Sequence, residues 1–105
     1  MADLSQLFQL GQQMQGRLTQ IQTELAEQSV TGSAGGGMVK VTADGRGQIQ
    51  SIQIDAAAAA DGDTEMLEDL VLAAVNDAQR KAEELYRNEL SKLTSGLPLP
   101  FQFPL

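Results

Sequence analysis

Apolar residues in the first quarter of the chain recur at alternating spacings of three and four, with Leu4, Leu7, Met14, Leu18, Ile21 and Leu25 in register and Gly11 as the one gap. This spacing gathers one stripe on one side of a helix, in the manner of a heptad seam. Phe8 and Leu10 widen the stripe at its start. Asp3 can accept hydrogen bonds from the unpaired N–H groups of the first turn. A helix is therefore predicted over 3–28, about 39 Å long at 1.5 Å per residue. Gly11 and Gly16 each cost about 1 kcal/mol relative to Ala. Such a helix needs an apolar surface to lie on, so Leu4, Leu7, Met14, Leu18, Ile21 and Leu25 form the expected core or dimer seam.

The periodicity then changes to two. Residues 38–43, Met-Val-Lys-Val-Thr-Ala, alternate and are β-branched, which predicts a strand. Asp44-Gly45 reads as a type I′ hairpin turn, with Arg46-Gly47 completing the connection. The returning strand, 48–55, carries Ile49, Ile52 and Ile54, whose parity switches between 49 and 52, so a bulge is expected near Gln50-Ser51. Residues 29–34 are a third strand weakened by glycine, and the three make a meander. Ala56 to Ala60 is a low-complexity linker with room for one helical turn. Asp61 or Asp63 then starts a second long helix over 63–94, with Met66, Leu67, Leu70, Val71, Ala74, Val75, Ala78, Ala82, Leu85 and Tyr86 on its apolar face. The alanines in its middle predict close packing on the sheet. Ser95-Gly96 ends it, and residues 96–105 form an apolar, proline-spaced, extended tail. The expected fold is one α+β domain over 1–95, helix, three antiparallel strands, helix, with the helices longer than the sheet.

Composition narrows the function. The 105 residues include no Cys, no His and no Trp. Disulfides, thiolate metal sites and the commonest general base are thereby excluded. Gly35-Gly36-Gly37 is not a phosphate loop, because a strand follows it and no Gly-Lys-Ser/Thr does. Asp61, Asp63 and Glu65 start like a calcium loop, but its twelfth position is Leu72. The serines have no partner for nucleophilic catalysis. No enzyme, cofactor or metal is expected. The start of the chain has neither the basic cluster nor the apolar run of a secretory signal, and no stretch nears the length of a membrane span, so a cytoplasmic protein is expected.

Net charge is −7, which opposes a purely electrostatic grip on DNA. The excess is local, however. Asp61, Asp63, Glu65, Glu68 and Asp69 carry −5 in one short segment, while residues 77–94 balance four bases with four acids.

Taken in order, the Gln-rich heptad helix, Gly35-Gly36-Gly37-Met38-Val39-Lys40-Val41, Gly45-Arg46-Gly47, Leu70-Val71 with Ala74-Val75-Asn76-Asp77-Ala78, and Gly96-Leu97-Pro98-Leu99-Pro100 give the chain its character. It resembles the YbaB/EbfC nucleoid-associated proteins of bacteria over nearly its whole length. The resemblance implies a tweezer-like homodimer that binds double-stranded DNA in the nucleoid. It departs from the family in its first helix, where Gln6, Gln9, Gln12, Gln13, Gln15, Gln20 and Gln22 stand where many relatives carry Lys, and Arg17 alone is basic. Gln can bond to phosphate but releases no counterions, so weaker DNA binding is expected.

Arg17, Arg80, Lys81, Arg87 and Lys92 are the DNA-contact candidates that follow, with Lys40 and Arg46 weaker ones on the sheet and its turn. The competing reading of the helical cations is pairing with neighbours: Asp77 with Lys81, Glu83 with Arg87, Glu89 with Lys92. For Lys40 the competing reading is an edge residue that discourages aggregation. The alternative function is an acidic dimeric adaptor that docks a basic protein partner through the Asp61–Asp69 cluster.

Overall fold

The computed structural model describes residues 3–60 and 62–95; Asp61, Gly96 and the predicted tail lie outside the described residues. Helix α1 spans Leu4–Glu27, strands β1 Ser29–Ala34, β2 Val39–Asp44 and β3 Ile49–Ile54, helix α2 Ala56–Ala60 and helix α3 Thr64–Ser95. The strands form one antiparallel sheet in the order β1-β2-β3. This is the predicted α+β arrangement, with α2 as the single helical turn expected of the alanine linker.

Helix starts are set by aspartates. Asp3 caps α1 through Ser5 N–H, Asp55 accepts from Ala57 N–H at the start of α2, and Asp63 accepts from Met66 N–H at the start of α3. The bulge falls where the isoleucine parity changes. Thr42 faces Ser51 and Ala43 faces Ile49, which leaves Gln50 as the extra residue.

The β2–β3 connection differs from the expected type I′ turn. That turn needs positive φ at both central residues, whereas Gly47 is the only residue of this loop with one, at 89°. Asp44 and Gln48 close a three-residue loop, Gly47 N–H donates to Asp44 O at 3.0 Å, and Asp44 N–H donates to Gln48 O at 2.9 Å. This is a turn of type I followed by a left-handed glycine. Gly45 is needed for a different reason. Its N–H donates to Leu25 O at 2.8 Å, and a Cβ there would sit 2.6 Å from the same oxygen. The end of α1 rests directly on the turn.

Two separate packing centres result. Val39, Val41, Ala43, Ala74 and Ala78 are fully buried where α3 crosses the sheet. The approach is so close that a Cβ on Gly32 of β1 would lie 2.3 Å from Ala78 N and 2.4 Å from Ala74 O, which is why small residues occupy both sides of the contact. The second centre joins Ile21 and Leu25 of α1 to Leu93 of α3, flanked by Leu85 and Tyr86. The helices therefore run antiparallel, and the first half of α1 reaches past the end of α3, in a molecule 70 × 23 × 17 Å in extent.

Of the predicted seam, only Ile21 and Leu25 are buried. Met14 is half-buried, and Leu4, Leu7 and Leu18 are exposed, Leu4 to 71%. Spacing made these residues one stripe; it could not say that, among the described residues, no other element reaches the first half of α1 to cover it. Among the described residues no helix is long and apolar enough to cross a membrane.

Candidate nucleic-acid interface

The cations fall into three groups. Lys81, Arg80, Arg87 and Lys92 lie along the second half of α3, Arg17 lies on α1 beside the end of α3, and Lys40 and Arg46 belong to the sheet and its turn. On α3 each of these four cations pairs with a carboxylate three or four residues away. Arg80 bonds Asp77 at 2.7 Å and Glu84 at 2.8 Å, Arg87 bonds Glu83 at 2.7 Å, and Lys92 reaches Glu89 at 3.4 Å. The arginine side chains remain more than half exposed, at 59% for Arg80 and 55% for Arg87. Exposed pairs of this kind are worth about 0–1 kcal/mol and weaken with salt, so an incoming phosphate can compete for these bases.

Asp77 is the exception, and spacing foresaw only part of it. Its carboxylate holds Arg80 and, at 3.3 Å, Lys81. It also accepts Ser33 N–H of β1 at 3.1 Å. Lys81 in turn donates to Thr31 O at 2.8 Å. Thr31 and Ser33 turn these backbone groups to the outer edge of β1, so the two side chains satisfy an otherwise open sheet edge and tie α3 to it. The Arg80 hydrogen bond, the Ser33 N–H and Lys81 together hold the Asp77 carboxyl down to about 2, despite partial burial, and Asp77 with Glu84 raises the Arg80 pKa. A signal was available: Asp77 sits three residues before Arg80 and four before Lys81 on the face next to Ala74 and Ala78.

In the β2–β3 turn, Asp44 is buried and Arg46 is paired with it at 3.3 Å. Burial raises the Asp44 carboxyl, but N–H bonds from Gln48 and Arg46 and the Arg46 guanidinium outweigh it, and the net shift is downward. Arg46 is thereby part of the turn's own wiring. Among the described residues, Arg17 and Lys40 have no ion pair. Lys40 projects from the polar face of the sheet, opposite Ser33 and Gln53. Arg17 lies beside Lys92 along a shallow cleft between α1 and the end of α3, which Glu24 and Glu89 also line.

The sequence did not reveal a second surface. On the helix-facing side of the sheet, Ile52 and Ile54 continue the rows of Val41 and Val39, yet they are 47% and 42% exposed because α3 lies over β1 and β2 and stops short of β3. With Leu67, Val71, Leu72 and Val75 of α3, Ile54 lines an apolar groove of about 430 Å³. The acidic segment beside it includes the α3 start: Asp63 is the cap and Glu65 lies in the first turn. Among the described residues no group of three or more carboxylates is placed to hold a metal ion.

Comparison with known proteins matches residues 1–97 to the model of the YbaB/EbfC DNA-binding family. The chain is 47% identical over 98 residues to a nucleoid-associated protein of Desulfotalea psychrophila, covering 93% of this chain and 92% of that one. It is 45% identical over 101 residues to a nucleoid-associated protein of Thermoanaerobacter sp. strain X514, covering 96% and 91%. Among solved structures it is similar to the uncharacterized protein HP0035 from Helicobacter pylori, with a TM-score of 0.80, 29% identity, and coverage of 89% of this chain and 98% of that one.

Proposed function

The chain belongs to the YbaB/EbfC DNA-binding family, and from that membership we propose that it works as a cytoplasmic, nucleoid-associated homodimer that holds duplex DNA by its phosphates with little sequence preference. The family is a DNA-binding one and not an enzymatic one. A second copy supplies the cover for the groove between β3 and α3. Each half-exposed Ile or Leu that it hides contributes on the order of 1 kcal/mol, and a two-fold axis through the groove uses the same patch on both copies. The free edge of β3 lies beside that groove, whereas the β1 edge is already occupied by Asp77 and Lys81.

The observation that supports the DNA reading beside the family match is the placement of Arg17, which has no ion pair among the described residues and lies beside Lys92 where α1 meets the end of α3. Arg80, Arg87 and Lys92 lie on the neighbouring helix in weak, exposed pairs that phosphate can displace, and Lys81 is held more firmly. Lys40 and Arg46 are secondary contacts. Few cations predict a shallow salt dependence, about −0.9 in log K per log salt for each phosphate neutralised. The acidic-adaptor reading has no comparable support, since the family match points to DNA.

Titration of labelled duplex DNA at several salt concentrations tests the proposal, with Arg17→Glu alongside the wild type. Arg17→Glu should lose most of the low-salt affinity without altering the oligomeric state. Absence of binding by the wild-type dimer at about 50 mM salt, where phosphate contacts are strongest, overturns the DNA reading for this protein.

A further inference from the structure

The first half of α1 carries the most exposed apolar surface among the described residues. Leu4 and Phe8 are 71% and 70% exposed, Leu7 and Leu10 are also exposed, and Met14 is half-buried. Leu4, Leu7, Phe8 and Gly11 line one shallow groove. No charged residue occurs from Leu4 to Gly16, and Asp3 and Arg17 stand at the two ends of this stretch. The end of α3 lies beside α1 from Arg17 onward, where Ile21 and Leu25 are buried with Leu93. The bare stretch of helix is separate from the groove beside β3.

We propose that this stripe binds the same stripe of a second copy, the two helices antiparallel about a two-fold axis level with Gln9. Leu4, Leu7, Gly11 and Met14 hold the a and d places of a heptad, the pattern that fits another helix. In an antiparallel pair each a residue faces a d residue. Alignments that reach Ile21 or Leu25 are closed, because both are already buried under α3. The longest alignment on bare helix sets Leu4 against Met14 and Leu7 against Gly11, twice over by symmetry. Three features fit it. A Cβ at Gly11 would meet nothing within 4 Å, so its own chain does not require glycine there; opposite Leu7 of a second copy, the missing side chain leaves the space a leucine fills. Phe8 then flanks the seam beside Phe8 of the second copy, and Leu10 beside Leu10 on the other side. Asp3 comes near Arg17 of the second copy at both ends, whereas a parallel pair would bring like charges together and leave a hole between two glycines. An exposed pair of this kind is weak, so it orients the copies and leaves Arg17 open to phosphate. The side chains hidden amount to roughly 400 Å² per copy, about half of a standard interface. The contact is accordingly weak and forms where copies are crowded. Because it leaves the β3 groove free, it gives the chain a second self-complementary face. That this face joins pairs made through the groove rests on the dimer proposed above; the pairing of the arms does not.

The absence of cysteine in the chain makes disulfide mapping direct. At several hundred micromolar, well above the range of a DNA titration, full-length Leu4→Cys and Met14→Cys proteins are mildly oxidised separately and as a mixture. The mixture should give a linked pair at twice the monomer mass on a denaturing gel. Each variant alone should link little, because like positions of the two copies lie about 15 Å apart along the axis. No link in the mixture would overturn the proposal, as would a link as strong in Leu4→Cys alone, the mark of a parallel contact. Sedimentation of Ile54→Lys, which puts a charge in the β3 groove, separates the two contacts. From low to several hundred micromolar this variant should pass from monomer to pair. Adding Leu7→Ser and Phe8→Ser, both at exposed positions, should weaken that association about tenfold or more. A monomer at every concentration would overturn the arm contact. A pair already complete at low micromolar would count against the groove dimer instead, and the cysteine mixture then decides the arm contact.

Discussion

Replacing Asp77 by Asn separates the structural use of Arg80 and Lys81 from their proposed use on DNA. The wild-type carboxylate binds both cations and the Ser33 N–H. An Asn side chain keeps an oxygen that can accept the Ser33 N–H, so α3 stays tied to β1, but neither cation retains its shared anion. Arg80 keeps only Glu84, and Lys81 keeps only the Thr31 carbonyl. If each released cation then takes one phosphate, the slope of log K against log salt steepens by about 1.8 for the pair. Lowering salt from about 200 to about 50 mM should therefore strengthen binding by about twelvefold more in Asp77→Asn than in wild type. Fluorescence anisotropy of a labelled duplex at four salt concentrations measures both slopes, with sedimentation confirming that the oligomeric state is unchanged. An unchanged slope with an unchanged oligomeric state would refute the reasoning: Arg80 and Lys81 would then be clamps of the fold and nothing more.

Three further outcomes follow from the same geometry. Gly32→Ala should destabilise the fold by roughly 2–3 kcal/mol, because the clash is with helix backbone that cannot rotate away, whereas Gly16→Ala, with nothing within 4 Å of the new Cβ, should stabilise α1 by about 1 kcal/mol; thermal unfolding at one fixed concentration compares them, and equal signs would be inconsistent with this packing. Asp77 and Asp44 have carboxyls lowered in the folded state, Asp77 to about 2, so the stability each contributes is complete above the unfolded value of about 4 and is lost as pH falls through its own lowered value. The melting temperature should drop over that acid window, less so in Asp77→Asn, and stay level near neutrality, where a chain without His has little to titrate. Ile54→Lys should place a charge in the proposed dimer groove and give monomers by analytical ultracentrifugation at low micromolar concentration, and a persistent dimer would move the interface elsewhere.

Much of the fold was legible because it depends on neighbours in sequence. The isoleucine parity change placed the bulge near Gln50-Ser51, where Gln50 is the extra residue, Asp3 and the choice of Asp61 or Asp63 marked the helix starts, of which Asp63 is the cap, and the alanines in the middle of α3 announced a close helix–sheet contact. The spacing of acids and bases on α3 foretold the pairs of Arg87 and Lys92. The turn at Gly45 was misjudged for a physical reason. Asp-Gly favours positive φ locally, but this glycine is required by a carbonyl on α1, and no local rule contains Leu25.

By itself, the order of residues determined which surfaces are apolar, where helices begin, and that the chemistry of His and Cys is absent, since each follows from side-chain type and short-range spacing. Tertiary structure alone decided which of those surfaces stay bare. The same heptad stripe is buried at Ile21 and Leu25 and open at Leu4 and Leu7, because α3 ends beside the middle of α1. Likewise the same isoleucine pattern that fills a core elsewhere is left open at Ile52 and Ile54, because one helix is wide enough to cover two strands and not three. Periodicity specifies a face; the element that covers it comes from a distant part of the chain, or from another molecule.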